Sequence, residues 1–136
     1  MRQGSRQFRA ALSELDQMMK WVREVLLESF SSSSKAKKFE LAVEEALVNV
    51  IHYAYPHPPG VVEVGYRKEA KKLFFIIKDH GLEFNPLEEG KPPNLDAPLE
   101  ERDAGGLGIH FIKNMTDAVD YQRIDGWNVL TLVQII

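Results

Sequence analysis

The sequence predicts an α+β fold with a mostly antiparallel sheet covered by helices on one face. Three observations predict it. Before residue 55, apolar residues recur at spacings of three and four, the signature of amphipathic helices. Beyond that point, stretches suited to strands occur in pairs with short connections, which fit antiparallel pairing. Helices are grouped rather than alternating with strands, so the crossovers of a parallel sheet are missing.

Residues 6–11 could form a short edge strand. Ser13 followed by Asp16 resembles a capping box, with Asp in place of Glu, and predicts a helix through about Phe30. Leu15, Met18 or Met19, Val22, Val25, Leu26 and Phe30 supply its apolar stripe. Ser31 to Ser34 read as a solvated loop between helices. A second helix follows over about 36–54, with Phe39, Val43, Ala46, Leu47, Val50 and Ala54 as its core face. Tyr55-Pro56-His57-Pro58-Pro59-Gly60 ends it, because prolines remove donors and fix φ. Val61 to Tyr66 alternate as a strand, 67–71 make a polar turn, and Lys72 to Lys78 form a more buried strand. Ala118 to Ile124 and Trp127 to Ile136 flank Asp125-Gly126, a two-residue hairpin signal. About four strands and three helices are expected, and 136 residues fit one domain, spanning 1–136.

Composition narrows the function classes. A net charge of −3 gives no electrostatic case for nucleic acid or an anionic membrane. With no cysteine there is no disulfide, thiol nucleophile or cysteine zinc site, and the histidines at 52, 57, 80 and 110 lack metal-ligand spacing. No apolar run approaches a membrane span and no signal peptide is evident, so a cytoplasmic protein is expected.

Three stretches carry chemistry. In the second helix, Glu45 and Asn49 lie one turn apart on a face away from the core stripe, where both side chains can meet one object. A carboxylate beside an amide suits a general base and a phosphate or metal contact; read alone, the pair is most simply a pair of ordinary solvated surface residues. The strand ending at Lys78 runs into Asp79-His80-Gly81-Leu82-Glu83-Phe84-Asn85-Pro86. Asp79 can accept a hydrogen bond from an exocyclic amine such as that of adenine, and Gly81 lets a planar ring approach the backbone. An ordinary turn uses the same residue types. Third, Ala104-Gly105-Gly106-Leu107-Gly108 precedes an apolar-periodic segment, so a glycine-rich backbone at a helix start can expose N–H groups to phosphate. Residues 87–104 between the second and third stretches are rich in Pro, Glu and Asp and fit a lid over a nucleotide.

Taken in order, Glu45-x-x-x-Asn49, Asp79-x-Gly81-x-x-Phe84-Asn85-Pro86 and Gly106-x-Gly108 resemble the N box and the two glycine boxes of the GHKL ATPase superfamily. Within it the likeness is greatest to the anti-sigma factor serine/threonine kinases of bacterial stress and sporulation switches. The resemblance covers about 38–136. It implies a Bergerat fold, a two-layer α/β sandwich with helices on one face of a mixed, largely antiparallel sheet. It implies ATP and Mg²⁺ as cofactors: Asn49 would coordinate the metal together with phosphates and water, and Asp79 would hold the adenine amine. Gly81 and Phe84 would border the base, and Gly105, Gly106, Leu107 and Gly108 would contact phosphates. Glu45 would be the catalytic base, acting on a serine or threonine hydroxyl of a bound protein, and Arg102 late in the lid could reach the γ-phosphate. The partners implied are an anti-anti-sigma factor as substrate and a sigma factor, with a homodimer also implied.

The chain departs from the family pattern at two places. Tyr53-Ala54-Tyr55 stands where relatives often carry a His-Ala-Tyr or His-Gly-Tyr triplet, and His80 and Glu83 occupy places often taken by Asn and Gly. Beside the kinase reading stand a non-catalytic, nucleotide-dependent binding module and the ATP-binding part of a histidine kinase. The last ranks lowest, because 136 residues leave no room for a dimerisation helix and phosphoacceptor region.

Overall fold

A computed structural model describes residues 2–57, 60–85 and 112–136. Its elements in chain order are β1 (Arg2–Arg9), a 3-10 turn (Leu12–Glu14), α1 (Leu15–Ser29), α2 (Ser33–Tyr53), β2 (Val61–Glu69), β3 (Lys72–Asp79), β4 (Ala118–Ile124) and β5 (Trp127–Ile135). Residues 112–115 are also helical.

The strands form one sheet in the order β1-β2-β3-β5-β4, and all four pairings are antiparallel. Alternation sorts the two faces. Leu73, Phe75, Ile77 and Asp79 of β3 are buried, as are Val62 and Val64 of β2 and Asn128, Leu130, Leu132 and Gln134 of β5. Against this face lie Met18, Met19, Val22, Val25 and Leu26 of α1 and Phe39, Ala42, Val43, Ala46 and Leu47 of α2, in one apolar cluster. Phe39 sits at its centre, edge-on to Phe75 with ring centroids 5.7 Å apart and 5.9 Å from Phe30. The α+β architecture with helices on one sheet face is therefore as expected.

The structure departs from the expectations in detail. Strand β1 runs over Arg2–Arg9 rather than 6–11 and pairs with β2 from Arg2↔Lys68 to Arg9↔Val61. Its arginines, glutamines and serine face solvent and only Phe8 is buried, so hydrophobic periodicity cannot reveal it. Ser13 and Asp16 do not form a capping box. The 3-10 turn feeds straight into α1, Glu14 N–H donates to Ala11 O at 2.9 Å, and no side chain caps either start. The serine run is not purely loop: Ser32 caps α2, its hydroxyl accepting from Lys35 N–H at 3.4 Å, and Ser33 begins the helix. Residues 67–69 continue β2, paired with Lys72, Leu73 and Phe74, and leave a two-residue turn at Ala70-Lys71 with Ala70 at φ 52°. The Asp125-Gly126 hairpin forms where expected, both residues at positive φ. Among the described residues no helix is long and apolar enough to cross a membrane.

Candidate functional site

The sheet's core face changes character at one end. At the C-terminal end of β3 the apolar alternation stops at Asp79, and the residue opposite it on β5 is Asn128. With Tyr121 of β4, Phe84 beyond β3, Ala46, Asn49 and Val50 of α2, and Ala54 just after it, they line a cavity of ≈ 30 Å³, to which Ile77 and Leu130 also contribute. A space this small suits about one water rather than a ring system. Phe84 and Ala54 are the described wall residues outside any regular element.

Asp79 is 5% exposed and its Oδ1 accepts from Gly81 N–H at 2.8 Å and from Asn128 Nδ2 at 2.8 Å. Burial pushes its carboxyl above the ordinary carboxylate value; the bonds from Asn128 and Gly81, and the nearby charges of Arg123 and His80, oppose this without overcoming it. Asn49 reaches the same cavity from α2. It is 8% exposed, although helical periodicity puts it off the apolar stripe. Its Nδ2 is buried with no hydrogen-bond partner among the described residues. Leaving such a donor unpaired costs about 1–3 kcal/mol, which marks the spot as shaped for a ligand acceptor. Glu45, one turn earlier, is half-buried, and its carboxyl is raised first by burial and then by the charge of Glu44.

Gly81 serves a different contact from the one its sequence context suggests. A Cβ there would lie 2.2 Å from Ala54 O, so the glycine lets the segment after β3 pack onto the end of α2, where Leu82 N–H donates to Ala54 O at 2.9 Å. Tyr55 braces the same junction: its hydroxyl donates to Val61 O at 2.5 Å and accepts from His80 N–H at 2.8 Å. Tyr53, which stands in place of the family histidine, stacks its ring on Phe84.

Of the residues singled out from sequence, Asn49, Asp79 and Phe84 thus line one cavity and Gly81 packs against Ala54 beside it, while Glu45 lies one turn before Asn49 on α2 and is not among the cavity's lining residues. Arg102, Gly105, Gly106, Leu107 and Gly108, with the expected lid at 87–104, lie outside the described residues. Two cavity residues escaped the sequence reading, Asn128 and Tyr121. Asn128 could have been noticed as a polar residue that opens the buried face of β5, ahead of Leu130 and Leu132 and with Gln134 at its far end.

A family model for the histidine kinase-like ATPase domain matches residues 8–134. The chain belongs to this family. Among its relatives, a serine/threonine-protein kinase, BtrW, of Bordetella bronchiseptica is 30% identical over 113 residues, which is 82% of this chain and 79% of that protein. A serine-protein kinase, RsbW, of Bacillus thuringiensis is 26% identical over 94 residues, covering 67% of this chain and 59% of the relative. RsbW of Bacillus anthracis is 24% identical over the same length. The resemblance to GHKL ATPases drawn from three short motifs therefore holds across almost the whole chain. ATP use follows from the family.

The described residues also bear on a metal. They contain no group of three or more His, Asp or Glu side chains able to hold an ion. The Asn128 amide at the cavity is fully engaged in hydrogen bonds, so the side-chain carbonyl of Asn49 is the amide oxygen that would meet an ion, while its nitrogen, a donor only, suits a phosphate oxygen. One protein ligand, with phosphates and water supplying the rest, is the habit of Mg²⁺ in nucleotide sites, so the residues fit that ion.

Proposed function

We propose that this chain is an ATP-dependent serine/threonine protein kinase of the anti-sigma type, which phosphorylates an anti-anti-sigma factor and thereby governs the availability of a sigma factor. The observation that carries the reading is the single helix α2, which brings a buried Asn49 to the cavity that Asp79 lines from the sheet side and carries a half-buried Glu45 one turn before it. The similarity to proteins named serine and serine/threonine kinases supports it.

In this mechanism Asp79 recognises the base. Both of its described hydrogen bonds fall on Oδ1, so Oδ2 is the oxygen available to an exocyclic amine. Asn49 would hold Mg²⁺, which when bound would supply positive charge to neutralise that developing on the transferred group. Gly105, Gly106, Leu107 and Gly108 supply amide N–H groups to the phosphates and Arg102 a further positive charge. Glu45 accepts the proton of the acceptor hydroxyl and orients its oxygen. Its raised carboxyl makes it a better base than an ordinary surface glutamate. Most of the rate then comes from positioning and charge complementarity. A cytoplasmic location, a single domain over 1–136 and a homodimer belong to the same reading, with no direct role for nucleic acid or membrane.

Calorimetric titration with ATP and ADP, with and without Mg²⁺, tests it on the parent chain and on Asn49→Ala and Asp79→Ala. Magnesium-dependent binding that both substitutions weaken is expected; no binding at millimolar nucleotide overturns the reading. Phosphotransfer to the partner then separates a kinase from a non-catalytic, nucleotide-dependent binding module, since Glu45→Ala abolishes the first and leaves partner binding unchanged.

A further inference from the structure

Asn128 makes four hydrogen bonds with its side chain: Nδ2 donates to Asp79 Oδ1 at 2.8 Å and to Leu82 O at 2.7 Å, and Oδ1 accepts from the Tyr121 hydroxyl at 2.5 Å and from Phe84 N–H at 3.3 Å. This uses both amide protons and both carbonyl lone pairs. The neighbours also settle which way the amide points. Leu82 O can only accept and Phe84 N–H can only donate, so a flipped amide would lose both bonds. Asn128 is 5% exposed and sits opposite Asp79 across the β3–β5 ladder, where its position is set by strand register and not by a loop.

We infer that Asn128 is the positioning residue for base recognition, fixing the Asp79 carboxylate so that one oxygen is turned inward and the other toward the ligand, and thereby setting selectivity for a purine that carries an exocyclic amine. The inference rests on the nucleotide-binding reading above. A carboxylate held only by the Gly81 N–H could swing about its Cα–Cβ and Cβ–Cγ bonds and meet ligands with or without an amine on similar terms. Held from two directions on Oδ1, it presents a single acceptor and penalises a base that leaves it unpaired. The Tyr121 and Phe84 bonds hold the amide itself in register; they act on Asp79 only through it.

The test uses the full chain and two nucleotides, ATP and purine riboside triphosphate, which lacks the 6-amino group. Calorimetry gives the affinity ratio for the parent, Asn128→Ala, Asn128→Asp and Tyr121→Phe, with thermal melting as a check on folding. The parent is expected to favour ATP by about tenfold or more, the value of one hydrogen bond to a charged group. Asn128→Ala brings the ratio below about threefold, mainly through lost ATP affinity, and Tyr121→Phe changes it by less than about twofold. Asn128→Asp keeps the shape but sets a second carboxylate beside Asp79. At pH 8 it binds ATP about tenfold more weakly than the parent, and at pH 5.5 it approaches the parent measured at that pH, because one proton shared between the two carboxyls restores a donor to Asp79. Arg123 and His80 are the other charged groups that bear on Asp79, and comparison with the parent at each pH removes their contribution. Should Asn128→Ala fail to fold, the isosteric Asn128→Asp carries the test through its pH dependence.

Equal weakening of both nucleotides with an unchanged ratio means that Asn128 is a structural tether, and the inference falls. A pH-independent Asn128→Asp has the same consequence. A parent chain that binds both nucleotides equally overturns the base-site reading, and this inference with it.

Discussion

The rings of Tyr53 and Phe84 stack with centroids 5.7 Å apart and planes 21° apart, joining the last turn of α2 to the segment that leaves β3. An aromatic pair contributes about 0.5–1.5 kcal/mol beyond its buried area. A double-mutant cycle of Tyr53→Ala and Phe84→Ala, read by thermal or urea unfolding, is therefore expected to return a coupling of about that size. Tyr53→Phe should leave it intact, and additive losses would show that the rings are neighbours without being partners.

Gly81→Ala should destabilise the fold. Its new Cβ would lie 2.2 Å from Ala54 O and 2.6 Å from Ala54 C, which are backbone atoms that cannot rotate away. Overpacking of this kind costs about 1–3 kcal/mol, and the Leu82 N–H to Ala54 O bond would lengthen with it. A lowered melting temperature in the absence of nucleotide checks this. A variant that melts like the parent would mean that the segment is free to lift off α2.

How much of this was legible beforehand differs by element. Phe39, Val43, Ala46 and Leu47 announce α2 because a helix repeats its core contacts every turn, and Asp125-Gly126 announces a hairpin because few residues tolerate two successive positive φ angles. Glu45, Asn49 and Asp79 were singled out as candidates through motif order. Asn128 was not, because its meaning depends on the pairing Asp79↔Asn128, a register between strands 49 residues apart that local sequence does not encode. Strand β1 was misplaced for a related reason: as an edge strand it is held by backbone pairing to β2 while its side chains remain polar.

Asp79→Asn should separate stability from function. The folded carboxyl is raised above its ordinary value of 3.8, chiefly by burial, so the folded chain holds its proton to higher pH than the unfolded chain does. Linkage then has stability falling as pH rises from the ordinary value through the raised one, and the ionised group is a net cost at neutral pH. An amide removes that cost and keeps an oxygen for Gly81 N–H and Asn128 Nδ2. Its melting temperature at pH 7 should equal or exceed the parent's while ATP binding is lost. A clear fall in melting temperature would mean that Asn128 and Gly81 stabilise the charged form more than burial penalises it.

The acid limb of phosphotransfer should report Glu45. Its carboxyl is raised from 4.5, first by burial and second by Glu44, so deprotonation is completed at higher pH than for an exposed glutamate. A base works only when ionised, so turnover should fall as pH drops through that raised value. Glu44→Gln removes the second cause and leaves the first. Its acid limb should therefore move to lower pH without reaching that of an ordinary glutamate, while Glu45→Gln should cost about 10²–10⁴-fold in turnover and leave ATP affinity within about twofold of the parent. A limb that stays in place in Glu44→Gln would assign the controlling proton to another group, such as a partner side chain. Loss of ATP affinity in Glu45→Gln would move that carboxylate from acting on the acceptor hydroxyl to holding the nucleotide.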